Sequence, residues 1–375
     1  MSGLLLVLIA GGLVYLVLTI VAAARYKAVM PVLIPGSDGP GISVLKPLAG
    51  LDLDLEANLR TFFEQSYWQF ELLFAVRHEA DPAAGVVRGL QTQYPAIPTR
   101  LVVTGEPPYA NAKVYSLDLM KAQAQHDLLV MSDSDIRVTP DFLATIAAEF
   151  RGSAVGLATC PYRAVPGRGI WSTLEALGMN THFLGGVLVA RMLEGMKFAL
   201  GPTIAAQRQV LDRMGGFDRL KDYLAEDFVM GSFAAEMGYG VVLSFYRIEH
   251  HIGSQSFQAN WRHRIRWARS TRRSRPKGYL GEVFTNPLPF AVMLAAIEPA
   301  WWPALLLTAC MRLWSALAIG AGVLDDPLTK SRWWLLPVQD FMTLIVWIGG
   351  FFGNHIVWRG RKYYLRPDGR FEPAP

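Results

Sequence analysis

Cysteine is nearly missing: the 375 residues include only Cys160 and Cys310, far apart and with no His or Cys at metal-ligand spacing. A disulfide framework and a structural zinc site are both excluded, and two free thiols suit a reducing cytoplasm. Charge is sparse as well. Asp, Glu, Lys and Arg make up 18% of the chain against 52% hydrophobic residues, so the sequence reads as a water-soluble part joined to membrane-embedded parts. No internal repeat or low-complexity tract stands out, which sets repeat architectures aside.

The charge that is present leans basic, with a net +5 and a pI near 9.2. The Lys and Arg residues gather beside apolar segments, where anionic lipid headgroups attract them. A membrane surface, and not nucleic acid, is the expected partner.

From Leu4 to Ala24 the chain is apolar and uncharged. At 1.5 Å rise per residue this run crosses a hydrocarbon core of roughly 30 Å. Ala22-Ala23-Ala24 resembles a signal-peptide cleavage site, but the run lacks a basic leading region and is long for a signal, so residues 1–27 are expected to be an uncleaved anchor;. Arg25 and Lys27 place its C-terminal side in the cytoplasm;. Apolar runs return from Leu288 to Leu324 and from Trp333 to Trp358, interrupted by Glu298, Pro299, Arg312 and the loop Asp325 to Arg332. Residues 285–358 are therefore expected to span at least twice. Three spans fit the apolar lengths, yet Arg359, Arg361 and Lys362 put residues 359–375 in a cytoplasmic tail, which requires an even count; a re-entrant piece near Glu298 and Pro299 reconciles the two;.

Between 41 and 275, short apolar runs alternate with helical patterns, the signature of a parallel sheet covered on both faces. Strands are expected at Ile42 to Leu45, Leu72 to Val76, Thr99 to Val103, Leu128 to Met131 and Val155 to Thr159, with helices at Leu55 to Gln65, Pro82 to Tyr94 and Ala112 to Ala124. Ligands of such sheets bind beyond the carboxyl ends of the strands. The apolar stretch from Ile170 to Leu200 is broken by four glycines, which makes it a poor spanning helix. It reads equally well as interfacial helices roofing a lipid cleft or as domain core.

Leu128-Leu129-Val130-Met131-Ser132-Asp133-Ser134-Asp135 is an apolar strand that delivers two carboxylates at alternate positions just past its end. Residues two apart in extended chain point the same way, so both can address one Mg²⁺ or Mn²⁺ ion that bridges diphosphate oxygens; two solvated turn aspartates are the plainer alternative. Asp227, in Ala225-Glu226-Asp227-Phe228, is the candidate base for deprotonating an acceptor hydroxyl;. Helix capping, with Glu226 facing water, is the alternative there. A basic run follows from Trp261 to Arg269 with Arg272, Arg273, Arg275 and Lys277. It can face lipid headgroups, or hold a diphosphate bidentately while an indole packs on sugar or acceptor. His250-His251 are read as ordinary polar residues.

The order Asp81, Asp133, Asp227 and Arg266-Trp267 resembles the signature of processive and lipid-directed family 2-like glycosyltransferases. More closely, Val76-Arg77-His78-Glu79-Ala80-Asp81-Pro82-Ala83, Asn111-Ala112-Lys113, Asp133-Ser134-Asp135-Ile136-Arg137-Val138, Ala225-Glu226-Asp227 and Ile265-Arg266-Trp267 resemble the ceramide glucosyltransferases of glycosyltransferase family 21. The resemblance implies a GT-A-like nucleotide-diphospho-sugar transferase fold, an α/β architecture with a Rossmann-like mixed sheet between N-terminal and C-terminal transmembrane helices. It further implies a UDP-glucose donor, a membrane-lipid alcohol such as ceramide as acceptor, and a divalent cation. By position, Asp81 would contact the uracil end, Asp133 and Asp135 the metal and diphosphate, Lys113 a donor phosphate, Asp227 the acceptor proton, and Arg266-Trp267 would close the site. His263 stands where the family has Gln or Arg, and no role is assigned to it. A related bacterial group associated with hopanoid synthesis shares an Arg-Trp-Ala-Arg run like Arg266 to Arg269, and there the donor would carry N-acetylglucosamine. A processive polysaccharide synthase would need a longer helical bundle, and a catalytically silent nucleotide-sugar or lipid-binding protein is the rival from another class. The expected location is a bacterial inner membrane with the active site facing the cytoplasm.

Overall fold

Ser2–Ala28 is one uninterrupted helix, α1, as its uncharged apolar run demands;. The computed structural model describes residues 2–29, 39–152, 154–358 and 361–374, so Arg359 lies outside the described residues. Strands and helices then alternate as β1 (Ile42–Pro47), α2 (Leu55–Phe63), β2 (Phe70–Val76), α3 (Pro82–Gln93), β3 (Thr99–Val103), α4 (Ala112–Gln123) and β4 (Leu128–Ser132). These four strands are parallel, and β1, β2 and β4 are buried at every position, which is why they read as nearly continuous apolar runs. Asp81 and Asn111 cap α3 and α4, their side chains accepting from the N–H groups of Ala83 and Val114;.

Next come β5 (Ile136–Arg137), α5 (Phe142–Glu149), β6 (Val155–Thr159), β7 (Tyr162–Val165), α6 (Ile170–Gly178), α7 (Leu184–Glu194), β8 (Thr203–Gln207), α8 (Arg208–Arg213), α9 (Glu226–Glu236), β9 (Gly240–Leu243) and β10 (Ile248–His251). The main sheet has the order β3-β2-β1-β4-β8-β6-β9. Because β8 runs antiparallel to both β4 and β6, the sheet is mixed, as the family resemblance implies, and not purely parallel, as the periodicity alone suggests. Thr203-Ile204-Ala205-Ala206-Gln207 lacks the β-branched run that marks its neighbours, so no pattern announces it. A second sheet, β5-β10-β7, lays β10 antiparallel to β5, and His251 N–H donates to Asp135 O at 2.8 Å.

The segment 170–200 joins the sheet to the apolar helices. A π turn at Met179–Phe183 links α6 to α7. A Cβ on Gly185 would stand 3.1 Å from Thr19 Cγ2 of α1, so the missing side chain is what allows this close approach. The segment is thus largely buried, but against membrane-type helices as much as against the sheet.

The chain ends in α10 (Phe257–Ser274), α11 (Pro276–Gly281), α12 (Leu288–Ile297), α13 (Trp302–Ala316), α14 (Pro327–Arg332), α15 (Leu336–Gly350), β11 (His355–Trp358), β12 (Arg361–Leu365) and β13 (Phe371–Pro373). By length and composition Ser2–Ala28 and Pro299–Ala321 can each cross a membrane, and Pro276–Thr285 with Leu288–Ile297, bent by 52°, can count as a third span. The turn between α12 and α13 reaches the start of α1, where Ser2 Oγ donates to Glu298 Oε1. The far end of the α13 segment returns to the sheets: Arg163 donates to Asp325 O and Arg247 to Val323 O, each at 3.1 Å. The apolar run from Trp333 to Trp358 is not helical throughout. It leaves helix after Gly350, and His355–Trp358 pairs antiparallel with Arg361–Leu365, which pairs with Phe371–Pro373.

Candidate active site

Past the end of β4, the backbone N–H of Asp133 donates to Pro202 O at 3.0 Å, and its Oδ1 accepts from Lys113 Nζ at 2.7 Å. The same ammonium lies 3.3 Å from Glu226 Oε1. Burial opposes the charge on Lys113, but the carboxylates of Asp133 and Glu226 outweigh it and hold its pKa well above the lysine range;. Asn111 ties the two helix starts together, with Nδ2 donating to Tyr223 O at 2.9 Å. Glu226 does not face water: it is 8% exposed, enclosed between Lys113 and Asn111.

Asp227 is the second residue of α9, whose first turn carries no side-chain cap, so neither carboxylate serves that role. Gly201 faces it so closely that an added Cβ would lie 2.7 Å from Asp227 Oδ2. Burial raises the Asp227 pKa to about 6, with Glu226 adding to the shift and Lys113 opposing it. A carboxylate tuned upward in this way is a stronger base while still ionised at neutral pH.

Asp135 Oδ2 lies 3.1 Å from His250 Nε2, so His250, read from the sequence as an ordinary polar residue, belongs to the site. Burial disfavours charge on both groups, but their mutual attraction prevails: the imidazole pKa is raised and the carboxyl pKa lowered;. Asp135 Oδ1 is buried without a hydrogen-bond partner. Among the described residues no group of three or more His, Cys, Asp and Glu is arranged to hold a metal unaided. Two carboxylates, one with an orphaned oxygen, fit a hard cation that draws its remaining ligands from a bound diphosphate and water.

Lys46 is the other residue that sequence reasoning missed. It is the penultimate residue of β1 and fully buried, with Nζ donating to Asp133 O at 2.7 Å and to Ser132 Oγ at 3.2 Å, and lying 3.6 Å from the centre of the Phe62 ring. Burial lowers its pKa to about 7 against the pull of Asp133 and Asp135. A lysine set between Leu45 and Pro47 near the end of a mainly apolar strand was the available signal.

Asp81 lies on a cavity of about 700 Å³ that Lys113, Tyr109 and Arg77 also line. Its carboxylate accepts from Gly50 N–H at 3.1 Å as well as from Ala83 N–H at 2.9 Å, which fixes the loop after β1 at the rim. Arg266 and Trp267 diverge on α10. Arg266 lines a neighbouring cavity of about 580 Å³, whereas the Trp267 ring meets Phe183 and His263, and Phe183 stacks on Tyr162, which stands edge-on to His250. His263 Nδ1 pairs with Glu175 Oε1 at 2.5 Å. Arg269 and Arg272 donate to the carbonyls of Phe351, Phe352, Gly353 and His355, past the end of α15.

The fold matches a mannosyltransferase from Pyrobaculum calidifontis, solved in complex with GDP-mannose and Mn²⁺, with a TM-score of 0.54 at 17% identity over 92% of this chain and 98% of that one. Two ceramide glucosyltransferases of Caenorhabditis elegans are similar in sequence. Type 1 is 31% identical over 55% of this chain and 44% of its own length, and type 3 is 26% identical over 68% and 56%. The chain therefore spans about half the length of these curated relatives. The sequence profile of glycosyl transferase family 21 matches residues 4–371, and the chain belongs to that family.

Proposed function

We propose that this protein is an inverting glycosyltransferase that moves a sugar, glucose in the first instance, from a UDP-sugar to the hydroxyl of a membrane lipid such as ceramide. The observation that carries the reading is the gathering of Lys113, Asp133, Glu226 and Asp227 at the end of β4, next to a cavity of nucleotide size;. Helices α6 and α7 connect this region to α1, which gives a lipid acceptor a route from the bilayer.

Asp133 and Asp135 would hold a divalent cation, which when bound would neutralise charge on the departing diphosphate. Lys113 holds Asp133 in place and offers its ammonium to the donor phosphates. Asp227 takes the proton from the lipid hydroxyl as that oxygen bonds to C1 of the sugar. The C1–O bond to UDP breaks on the opposite face, UDP leaves with the electron pair, and the configuration at C1 inverts to a β-glycoside. Asp81 and the Gly50 loop bound the end of the cavity assigned to the nucleoside, and Trp267 packs beside the acceptor route.

Strands β11–β13 pack on the same side as the sugar-transfer machinery, so the chain between 276 and 350 crosses the bilayer an even number of times. The α12–α13 hairpin, turning level with Ser2, supplies the pair. Arg25 and Lys27, in the last turn of α1, support the reading in which that side is the cytoplasm, and the membrane proposed is a bacterial inner membrane;.

The test is radiolabel transfer by the purified full chain with Mg²⁺ or Mn²⁺, offering UDP-glucose or UDP-N-acetylglucosamine against ceramide or a bacteriohopane polyol. Glucose on ceramide is the expected product. N-acetylglucosamine on the polyol would move the enzyme to the hopanoid substrates, and an α-linked product or full activity in Asp227→Ala would overturn the mechanism.

A further inference from the structure

The C-terminal sheet is built into the larger cavity. Its buried face, formed by Ile356, Tyr363, Leu365 and Phe371, packs on Leu224 and Ala110, residues of the loops that lead into α9 and α4. Phe371 N–H donates to Asp222 O at 2.8 Å, and Arg370 bridges to Tyr223. The same sheet that closes the far wall of the cavity is therefore stitched to the loops that deliver Lys113 and Asp227. Across the opening, Arg361 lies 3.8 Å from Glu106, which also faces Arg77 at 3.7 Å.

Among the described residues, Lys362 alone lines both this cavity and the neighbouring one that holds Arg266. It is exposed, and no ion pair engages it among the described residues. A cation at the junction of two cavities, one of which Lys113 also lines, is placed to receive an anion that must enter and leave.

Resting on the reading of this cavity as the donor site, we infer that β11–β13 form its second wall and that Lys362 is a binding residue for the diphosphate of the donor and of the UDP product. The sheet supplies shape through Trp358 and Tyr363 and charge through Lys362. Strands β11–β13 are then part of the donor site and not a passive tail.

The experiment is calorimetric titration of UDP with Mg²⁺ into the full chain in detergent, comparing wild type, Lys362→Met and Lys362→Arg, together with donor and acceptor KM. Lys362→Met should weaken UDP binding and raise donor KM about tenfold, with acceptor KM and thermal midpoint unchanged, while Lys362→Arg retains most of the affinity. UDP affinity in Lys362→Met within twofold of wild type would overturn the inference while leaving the donor site where it is. Failure of the wild type to bind UDP would instead bring down the donor reading, and this inference with it.

Discussion

His250 Nε2 lies 3.1 Å from Asp135 Oδ2, and the remaining polar atom of each side chain, His250 Nδ1 and Asp135 Oδ1, is buried without a partner. An imidazole that fixes one oxygen of a carboxylate leaves the other aimed and available, the usual relation between a metal ligand and its support. Replacing His250 by Ala should raise the Mn²⁺ concentration needed for half-maximal transfer by about 10-fold to 100-fold. The protein should still fold, because the backbone pairing of β10 with β5 and β7 is untouched. Activity titrated against Mn²⁺ decides it: an unchanged half-saturation would remove His250 from the cation site.

The Asp227 carboxyl has its pKa raised to about 6, chiefly by burial. A base must be ionised to accept a proton, so donor kcat/KM should climb as pH rises through about 6 and level off above it. Asp227→Asn should lose about 10²-fold to 10⁴-fold in kcat, and its residual rate should lack that acidic limb. A wild-type profile that is flat from pH 5 to 8 would count against Asp227 as the base.

Asp133 and Asp135 were legible because an apolar strand ending in alternate aspartates carries its own direction, whereas Lys113 was reached through the family resemblance and Glu226, which reads as a solvated first-turn carboxylate, is buried. Lys46 and His250 were not legible in the same way. Each acts across the sheet on a residue more than 80 positions distant, and no local pattern records that pairing. The C-terminal sheet was hidden for a related reason. Arg-Lys-Tyr-Tyr-Leu alternates weakly, and only Leu224 and Ala110, supplied from elsewhere in the chain, give it an apolar face to cover. Strand β8 went unnoticed because two central alanines can lie in a sheet only when neighbours on both edges hold them there;.

Gly201 offers a test of position without touching any ionisable group. Its absent Cβ would come within 2.7 Å of Asp227 Oδ2 and 3.2 Å of Asp227 Cγ, so Gly201→Ala must push the carboxylate aside. Misplacing a catalytic group by about 1 Å can cost roughly 10²-fold. The loss should fall on kcat, with UDP affinity near wild type by titration. A Gly201→Ala enzyme of full kcat would mean that Asp227 tolerates displacement, which an in-line proton acceptor cannot.

Arg312 on α13 and Asp340 on α15 form a bidentate pair with both side chains buried, Nη2 donating to Oδ1 at 2.8 Å and Nε to Oδ2 at 2.9 Å. Removing one partner strands the other charge in an apolar setting, and the cost of such a stranded charge is roughly 3–5 kcal/mol. Asp340→Ala should therefore lower the thermal midpoint in detergent sharply. The double change Arg312→Met with Asp340→Leu removes both charges at similar volume and should recover most of that loss. If the double variant melts as early as Asp340→Ala, the pair holds α15 in place through its specific hydrogen bonds and not through mutual neutralisation. Transfer activity should follow stability in this series, since α15 anchors Arg264 of α10 through Gln339 at 2.8 Å and so sets the helix that carries Arg266 and Trp267.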